Sequence, residues 1–360
     1  MQFQNKKKIA YLSALTLLFS YAELLLPRII PFFRLGLGNT VILLAFEMPF
    51  PAFLLLSVIK AVASSLTGGT LFSPFFLISL SQSVSSALLM HLLFSLNKLC
   101  NKKLMSIYGI SLAGSALSAF VQISLCSLFL GQGTFSLLGP MMLFNTASGI
   151  ITAFIAEQMK VQKPAEKAEL PSEAAEETVQ KTEEAPQQEQ DTEHAAAEAK
   201  DKAKKKPKSA VTQILLAVAI IGASAGIFFI DNIPVLCAAF ALSIIFQLLS
   251  GRKLFILPHI SLWLFVMISS VFTPNGKVLF SFQFISITEG ALMSGIEKAL
   301  KLSAVSALSQ CAASLRPPEK TLLGLSLSYY RTLSDQFRST KGNIFARLKT
   351  TLGNSQDFTL

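Results

Sequence analysis

The run "ILLAVAIIGASAGIFFI" occupies residues 214–230 and contains no charged side chain. A second run, "YLSALTLLFSYAELLL" at residues 11–26, has a single charged residue, Glu23. A helix needs about 20 apolar residues to cross the hydrocarbon core of a bilayer. The 360-residue chain is 52% hydrophobic and 14% charged, with a mean hydropathy of +0.54. These features predict an all-α polytopic membrane protein.

Six membrane helices are predicted in the first half. Cytoplasmic flanks carry an excess of Lys and Arg, and an even number of helices keeps both Lys6–Lys8 and the cluster Lys98, Lys102 and Lys103 inside. Pro49 and Pro51 then mark a tight cytoplasmic turn or a broken helix. The predicted spans are 9–26, 36–48, 50–66, 74–97, 106–131 and 138–159.

The second half adds four predicted helices, so that about ten cross the membrane in a 6 + 4 arrangement. The same charge rule places Arg252 and Lys253 inside, with both chain termini. The first apolar run ends in Pro-Arg rather than at a cleavage site, which favours a membrane helix over a signal peptide. The four spans are 210–230, 233–250, 254–273 and 290–314.

These spans divide the chain into four parts and predict an inner-membrane protein. Residues 1–159 form a six-helix domain and residues 209–316 a four-helix domain. Between them, residues 160–208 are rich in Ala, Glu, Gln and Lys without an aromatic residue, which predicts a disordered cytoplasmic linker. Residues 317–360 alternate apolar and basic residues at helical spacing, which predicts a cytoplasmic amphipathic helical tail.

The loop "PRIIPFFRLGLGN", residues 27–39, faces outward in this topology although it contains Arg28 and Arg34. One explanation is that both arginines snorkel toward lipid phosphates. The other is a binding site for an anionic ligand, since guanidinium groups suit phosphates and carboxylates. Gly36, Gly38 and Asn39 would add backbone N–H groups at the start of the second helix.

Lys60 lies deeper in a predicted span and is assigned to the same binding site. Charged groups inside a membrane are costly and frequently functional. Glu23 and Glu47 are near helix ends, and a functional role or a water-facing position fits each of them. Whether Lys60 itself is functional or structural also stays open. Gln82, His91, Gln122 and Asn145 either line a cavity or bond between helices.

The sequence shows no motif that is typical of an enzyme active site. The sequence contains no Gly-x-x-x-x-Gly-Lys-Ser/Thr motif for ATP and no Asp-rich motif for magnesium on a diphosphate. The four cysteines are scattered, so no metal site or other cofactor is predicted. The net charge of +10 belongs to the helix flanks, which argues against a nucleic-acid partner.

The motifs "RLGLGN" (34–39) and "TGGTLFSPFFLISLSQSVSSALLM" (67–90), after a lysine-led first helix, resemble a bacterial membrane family called Gx transporters. Its members are often labelled heptaprenyl diphosphate synthase component I. The family is similar in layout to the substrate-binding S components of energy-coupling-factor transporters. Residues 287–337 in turn resemble a T component, the subunit that couples to paired ATPases. The usual Ala-Arg-Gly-type docking motif is replaced by "QFRSTKGN" (336–343), so Arg331 and Arg338 are the nearest candidates for partner coupling.

The resemblance implies a transport protein that captures a small anionic or amphipathic substrate from outside and depends on ABC-type ATPase subunits. The alternative is a non-catalytic membrane subunit, component I, that works with a prenyl diphosphate synthase. A structural scaffold is a third possibility. The identity of the substrate and the oligomeric state do not follow from the sequence.

Overall fold

A computed structural model of the chain shows the architecture. The description covers residues 2–25, 36–100, 105–161, 210–249, 256–282, 285–312, 317–318, 320–342, 347–348 and 350–351. Arg28 and Arg34 lie outside these ranges, as does the predicted linker from residue 162 onward.

The first half is a bundle of apolar helices. Three of these helices begin at residues that favour a helix start. Proline occupies one of the first two positions of α3 and of α4, where the missing N–H costs nothing. Ser106 caps α5 by accepting a hydrogen bond from Gly109 N. A 3-10 turn, Gln132–Leu137, leads from α5 into α6. The helices are α1 (Gln2–Leu25), α2 (Gly38–Leu44), α3 (Phe50–Gly68), α4 (Pro74–Leu99), α5 (Ile107–Leu130) and α6 (Leu138–Val161).

Helix α2 is much shorter than the span predicted over 36–48. Seven helical residues rise only about 10 Å, well short of a bilayer core of about 30 Å. The chain leaves the helix at Ala45, turns, and starts α3 after Pro49. The helix is thus interrupted before Pro49 and Pro51, but the interruption follows a short helix and not the full span predicted over 36–48.

Among the residues that the structure describes, the second half has five helices of at least 16 residues and a small hairpin. The hairpin pairs β1 with β2 antiparallel, with Ser281 opposite Ser286. The helices are α7 (Ala210–Phe228), α8 (Ile233–Leu249), α9 (Ile256–Val271), α10 (Glu289–Ala312) and α11 (Leu322–Ser339), and the strands are β1 (Val278–Phe282) and β2 (Ile285–Thr288).

Within the described ranges, four helical stretches are long and apolar enough to cross a membrane: 50–68, 74–99, 107–130 and 132–159. Three shorter apolar helical stretches, 215–228, 233–249 and 262–271, lie in the second half. This pattern supports a helical membrane protein. The count of about ten spans, the choice of the inner membrane and the cytoplasmic position of both termini stay predictions.

Helix α10 joins the two halves. It packs on α7, α8 and α9 in its own half, where Trp263 Nε1 donates to Ser303 Oγ at 3.0 Å. Near its end it meets the α3–α4 loop of the first half. Phe72 N donates to Ser309 Oγ at 3.0 Å, and a Cβ on Gly69 would lie 2.8 Å from the Cα of Gln310. Gly69 of the "TGGT" motif thus allows close docking between the halves.

Helix α11 is amphipathic, as the sequence predicted, and its apolar face is covered by protein. Phe337 is fully buried among α1 residues such as Leu18 and Phe19. Contacts run from the ring pair Tyr11–Tyr329 to the pair Tyr21–Phe337, so α11 follows α1 in the same direction. The outer face of α11 carries exposed polar residues, namely Arg331, Thr332, Asp335, Arg338 and Ser339.

Candidate functional site

A small polar cavity lies inside the first half, between α2, α4, α5 and α6. Its volume is about 30 Å³, enough for one or two water molecules. Hydroxyl and amide groups dominate its wall, in a bundle whose outer surface is apolar. The lining residues are Gly36, Asn39, Ser86, Met90, Ser111, Ser115, Ser118, Asn145, Ser148, Gly149 and Thr152.

Asn39 is oriented by Lys60. Lys60 Nζ, on α3, donates a hydrogen bond to Asn39 Oδ1. Because the side-chain oxygen is used in this way, the amide nitrogen points to the opposite side. There a Cβ on Gly36 would lie 3.4 Å from Asn39 Nδ2 and 3.5 Å from Ser148 Oγ. The N–H groups of Asn39 therefore face the cavity. The ammonium group of Lys60 contacts the other side of the Asn39 amide and adds a positive charge near the cavity.

Gly36 makes this arrangement possible through its backbone. Its φ is +61°, in the left-handed region that favours glycine. Its carbonyl accepts a hydrogen bond from Asn39 N at 2.7 Å, which closes the turn that starts α2. The "GLGN" motif thus fixes Asn39 at the cavity wall.

The hydroxyl groups of the wall differ in how fully they are bonded. Ser111 Oγ donates to Gly149 O at 2.8 Å and lies 3.2 Å from Thr152 Oγ1. Ser86 Oγ, in contrast, has no hydrogen-bond partner although the residue is only 4% exposed. A buried hydroxyl without a partner costs free energy, so Ser86 is suited to bond a molecule that enters the cavity.

The predicted binding residues separate into three groups in the structure. Gly36, Asn39 and Lys60 come together at the cavity. Gly38 faces α1, where a Cβ would lie 2.7 Å from Ser20 Oγ and 3.2 Å from Thr16 O, so it serves close helix packing. Arg28 and Arg34 lie outside the described residues, and their role stays a prediction.

Most of the cavity wall was missed by the sequence reasoning, which named only Asn145 among its α4–α6 residues. A signal was present: Ser111, Ser115 and Ser118 follow helical spacing on one face of α5. On α6, Asn145, Ser148 and Thr152 repeat the same spacing. Small polar residues of this kind also serve ordinary helix contacts in membranes, which is why the spacing alone does not identify a cavity.

The other polar residues singled out in the sequence lie elsewhere. Glu47 is exposed in the turn after α2, and the side chain of Glu23 is outside the described part. His91 lies between Phe50 and Phe53 in tilted ring contacts, with centroids 5.1 and 5.0 Å away, and lines an open apolar groove on α4. Gln82 Oε1 is buried without a hydrogen-bond partner.

The residues that the structure describes include no cluster of potential metal ligands. Among these residues, no three His, Cys, Asp or Glu side chains are close enough to hold a metal ion. The described cavity wall offers hydroxyl and amide groups and no carboxylate. Such a wall is equipped for binding, and an acceptor-rich ligand would be favoured by the donors of Asn39 and by the nearby charge of Lys60.

The two arginines assigned to partner coupling lie on α11. Arg331 is exposed. Arg338 Nε donates to Tyr21 OH at 3.2 Å, and its guanidinium carbon lies 5.2 Å from the centre of the Tyr21 ring. Arg338 therefore joins α11 to α1, whereas Arg331 points away from the bundle.

We expect this difference to appear in stability. Arg338→Gln should lower the free energy of unfolding in detergent by about 0.5–1 kcal/mol, the usual contribution of an exposed cation–π contact. Arg331→Gln is the matched control and should leave stability unchanged. Chemical unfolding followed by tryptophan fluorescence measures both. Equal losses in the two variants would show that the Tyr21 contact contributes nothing specific.

Comparisons with known protein families give matches over two separate stretches of the chain. Residues 12–159 match the model of the family described as heptaprenyl diphosphate synthase component I, and residues 212–313 match a domain family of unknown function. No curated protein and no solved structure matches the chain. The first half is thus similar, over residues 12–159, to the family that its motifs predicted, heptaprenyl diphosphate synthase component I.

Proposed function

We propose that the chain is a membrane transport protein of the energy-coupling-factor type. The first half would capture a small anionic or amphipathic substrate from outside. The observation that carries this proposal is the polar cavity in which Lys60 turns the N–H groups of Asn39 inward. A few polar groups inside an apolar shell are what sets specificity in a small-molecule site.

The contact between the halves supports the coupling part of the proposal. The second half holds the first through the α3–α4 loop and through α1. A conformational change in one half can therefore alter the position of the helices in the other half. Arg331 is the candidate for contact with a partner ATPase, because its side chain is exposed on the outer face of α11.

A second function is favoured by the family match. The name component I implies a partner synthase subunit, and the chain would then be the non-catalytic membrane subunit in heptaprenyl diphosphate synthesis. In that case the lipid bilayer and a soluble synthase are its partners, and the cavity has no transported substrate. The match fits this reading as well as it fits transport.

Native mass spectrometry of the full chain, purified gently from its own membrane, separates the two functions. The transport proposal expects a complex that contains a pair of ATPase subunits. It further expects Arg331→Glu to lose them while Lys277→Glu, an exposed lysine beside the hairpin, keeps them. Capture of a soluble prenyl synthase without ATPase subunits would overturn transport in favour of the second function.

A further inference from the structure

The turn between α5 and α6 is held by the second half through a charged hydrogen bond. Lys298 Nζ, on α10, donates to the carbonyl oxygen of Leu130 at 2.7 Å. Leu130 is the last residue of α5, and a carbonyl at this position has no partner within its own helix. The ammonium group also favours the negative end of the helix dipole. Lys298 of the second half thus caps the C-terminal end of α5 in the first half.

A second contact holds the same turn from α9. Thr134 Oγ1 lies 2.9 Å from Ser269 Oγ, and both residues are buried. The backbones are close, since a Cβ on Gly133 would lie 2.6 Å from Ser269 O. Apolar packing continues around it, where Leu130 and Cys126 of α5 meet Val266 of α9 and Leu302 of α10. The turn is therefore fixed by side-chain and packing contacts from two helices of the second half.

The two helices that leave this turn form two of the four cavity walls. Ser118 of α5 lies 12 residues, about 18 Å, from Leu130. On α6, Asn145 follows the end of the 3-10 turn by about 12 Å. Helices of this length move as stiff rods, so a displacement at the turn is carried to the cavity.

We propose that the second half keeps the cavity closed by holding the α5–α6 turn, with Lys298 as the positioning residue. This inference concerns the regulation of the site named under the proposed function and rests on it. The described cavity has room for one or two waters, so a substrate requires a wall to move. Helix α2, the wall that carries Asn39, packs on α6. Release of the turn by the second half then opens the site.

Thiol labelling of a cavity residue tests this without a known ligand. The full chain is placed in lipid nanodiscs, with Cys100, Cys126, Cys237 and Cys311 replaced by alanine and with Ser86→Cys as the reporter. Methyl methanethiosulfonate is the probe, and mass spectrometry follows the labelling rate. Ser86 lines the cavity and is nearly fully buried, so labelling of the closed state is slow.

Adding Lys298→Met should raise the labelling rate about tenfold, since a hydrogen bond to a charged group is lost from the closed state. Lys298→Arg keeps a charged donor and should stay near the starting rate. Lys277→Met is the control for loss of an exposed lysine from the same half. An unchanged rate in Lys298→Met, or the same rise in Lys277→Met, would overturn the proposal.

A milder variant keeps the test decisive if Lys298→Met does not fold. Thr134→Val removes one hydroxyl from the contact with Ser269 at nearly constant volume, and should also speed labelling. Equal rates for Thr134→Val and its parent would count against closure by this turn. Anion binding is measured separately, so a chain that binds no anion but shows the labelling change refutes the proposed function alone.

Discussion

Asn39→Asp should weaken anion binding by about ten- to a hundredfold while the protein stays folded. The change replaces the two N–H donors that face the cavity by a carboxylate, with almost the same shape. Lys60, which donates to Asn39 Oδ1, can donate in the same way to the new carboxylate, so the fold is not weakened. Hydrogen bonds to charged groups contribute about 1.5–3 kcal/mol, and affinity should fall by ten- to a hundredfold.

The measurement is the ligand-induced rise in melting temperature of the detergent-purified chain, with inorganic phosphate, pyrophosphate and citrate as probes. Asn232→Asp is the matched control, because Asn232 is exposed at the α7–α8 turn. Lys60→Met should weaken binding as well, since it removes both the charge and the orientation of Asn39. If Asn39→Asp keeps the thermal shift of the parent, the donors of Asn39 are not part of an anion site.

Gly149→Val should destabilise the first half and remove the cavity. A Cβ on Gly149 would lie 2.4 Å from Ser115 Oγ and 3.2 Å from Ser111 O. The added side chain therefore has to push α5 and α6 apart. Overpacking of this kind costs about 1–3 kcal/mol, and the Ser111 hydrogen bond to Gly149 O is lost with it. Chemical unfolding in detergent, followed by far-ultraviolet circular dichroism, measures the loss.

Gly139→Val is the control within the same helix. Nothing lies within 4 Å of a Cβ at Gly139, so only the small change in helix propensity remains. Unfolding of both valine variants at the same denaturant concentration would contradict a close approach of α5 and α6 at Gly149. A loss confined to Gly149→Val would locate the cavity wall at this contact.

The Asn39 and Gly149 variants separate the chemistry of the cavity from its shape. Asn39→Asp changes the chemistry of the cavity and keeps its shape, whereas Gly149→Val changes the shape and keeps the donors. An anion site that depends on both should fail in both variants, with a loss of stability in the second variant alone. That combination of results distinguishes a binding defect from a folding defect.

Much of the helical fold could be predicted from local sequence. Continuous apolar runs give membrane helices because each backbone polar group must be bonded within its own segment. Prolines and glycines near the ends of α3 and α4 marked their boundaries to within a few residues. The motif Gly-Leu-Gly-Asn also led to Asn39, because a glycine pair before a helix indicates close backbone approach.

The extent of α2 and the hairpin after α9 could not be predicted in the same way. Residues 36–48 are apolar enough for a longer helix, but α2 ends before Ala45 and packs against α1, α3 and α6. The hairpin is anchored by Asn275 N, which donates to Thr288 Oγ1 at 2.9 Å, a contact across 13 residues. Neither contact leaves a periodic signal in the sequence.

By itself, the sequence determined the helical membrane class and the similarity of residues 12–159 to a known family, and it gave a binding role for Gly36, Asn39 and Lys60 as a hypothesis. Only the tertiary structure decided that Lys60 orients Asn39, that serines on α4, α5 and α6 complete one cavity, and that Lys298 caps α5 from the other half. The physical reason is separation along the chain. Hydropathy and turn signals act over a few residues, whereas a cavity wall or a cap is defined by side chains that are brought together from distant helices.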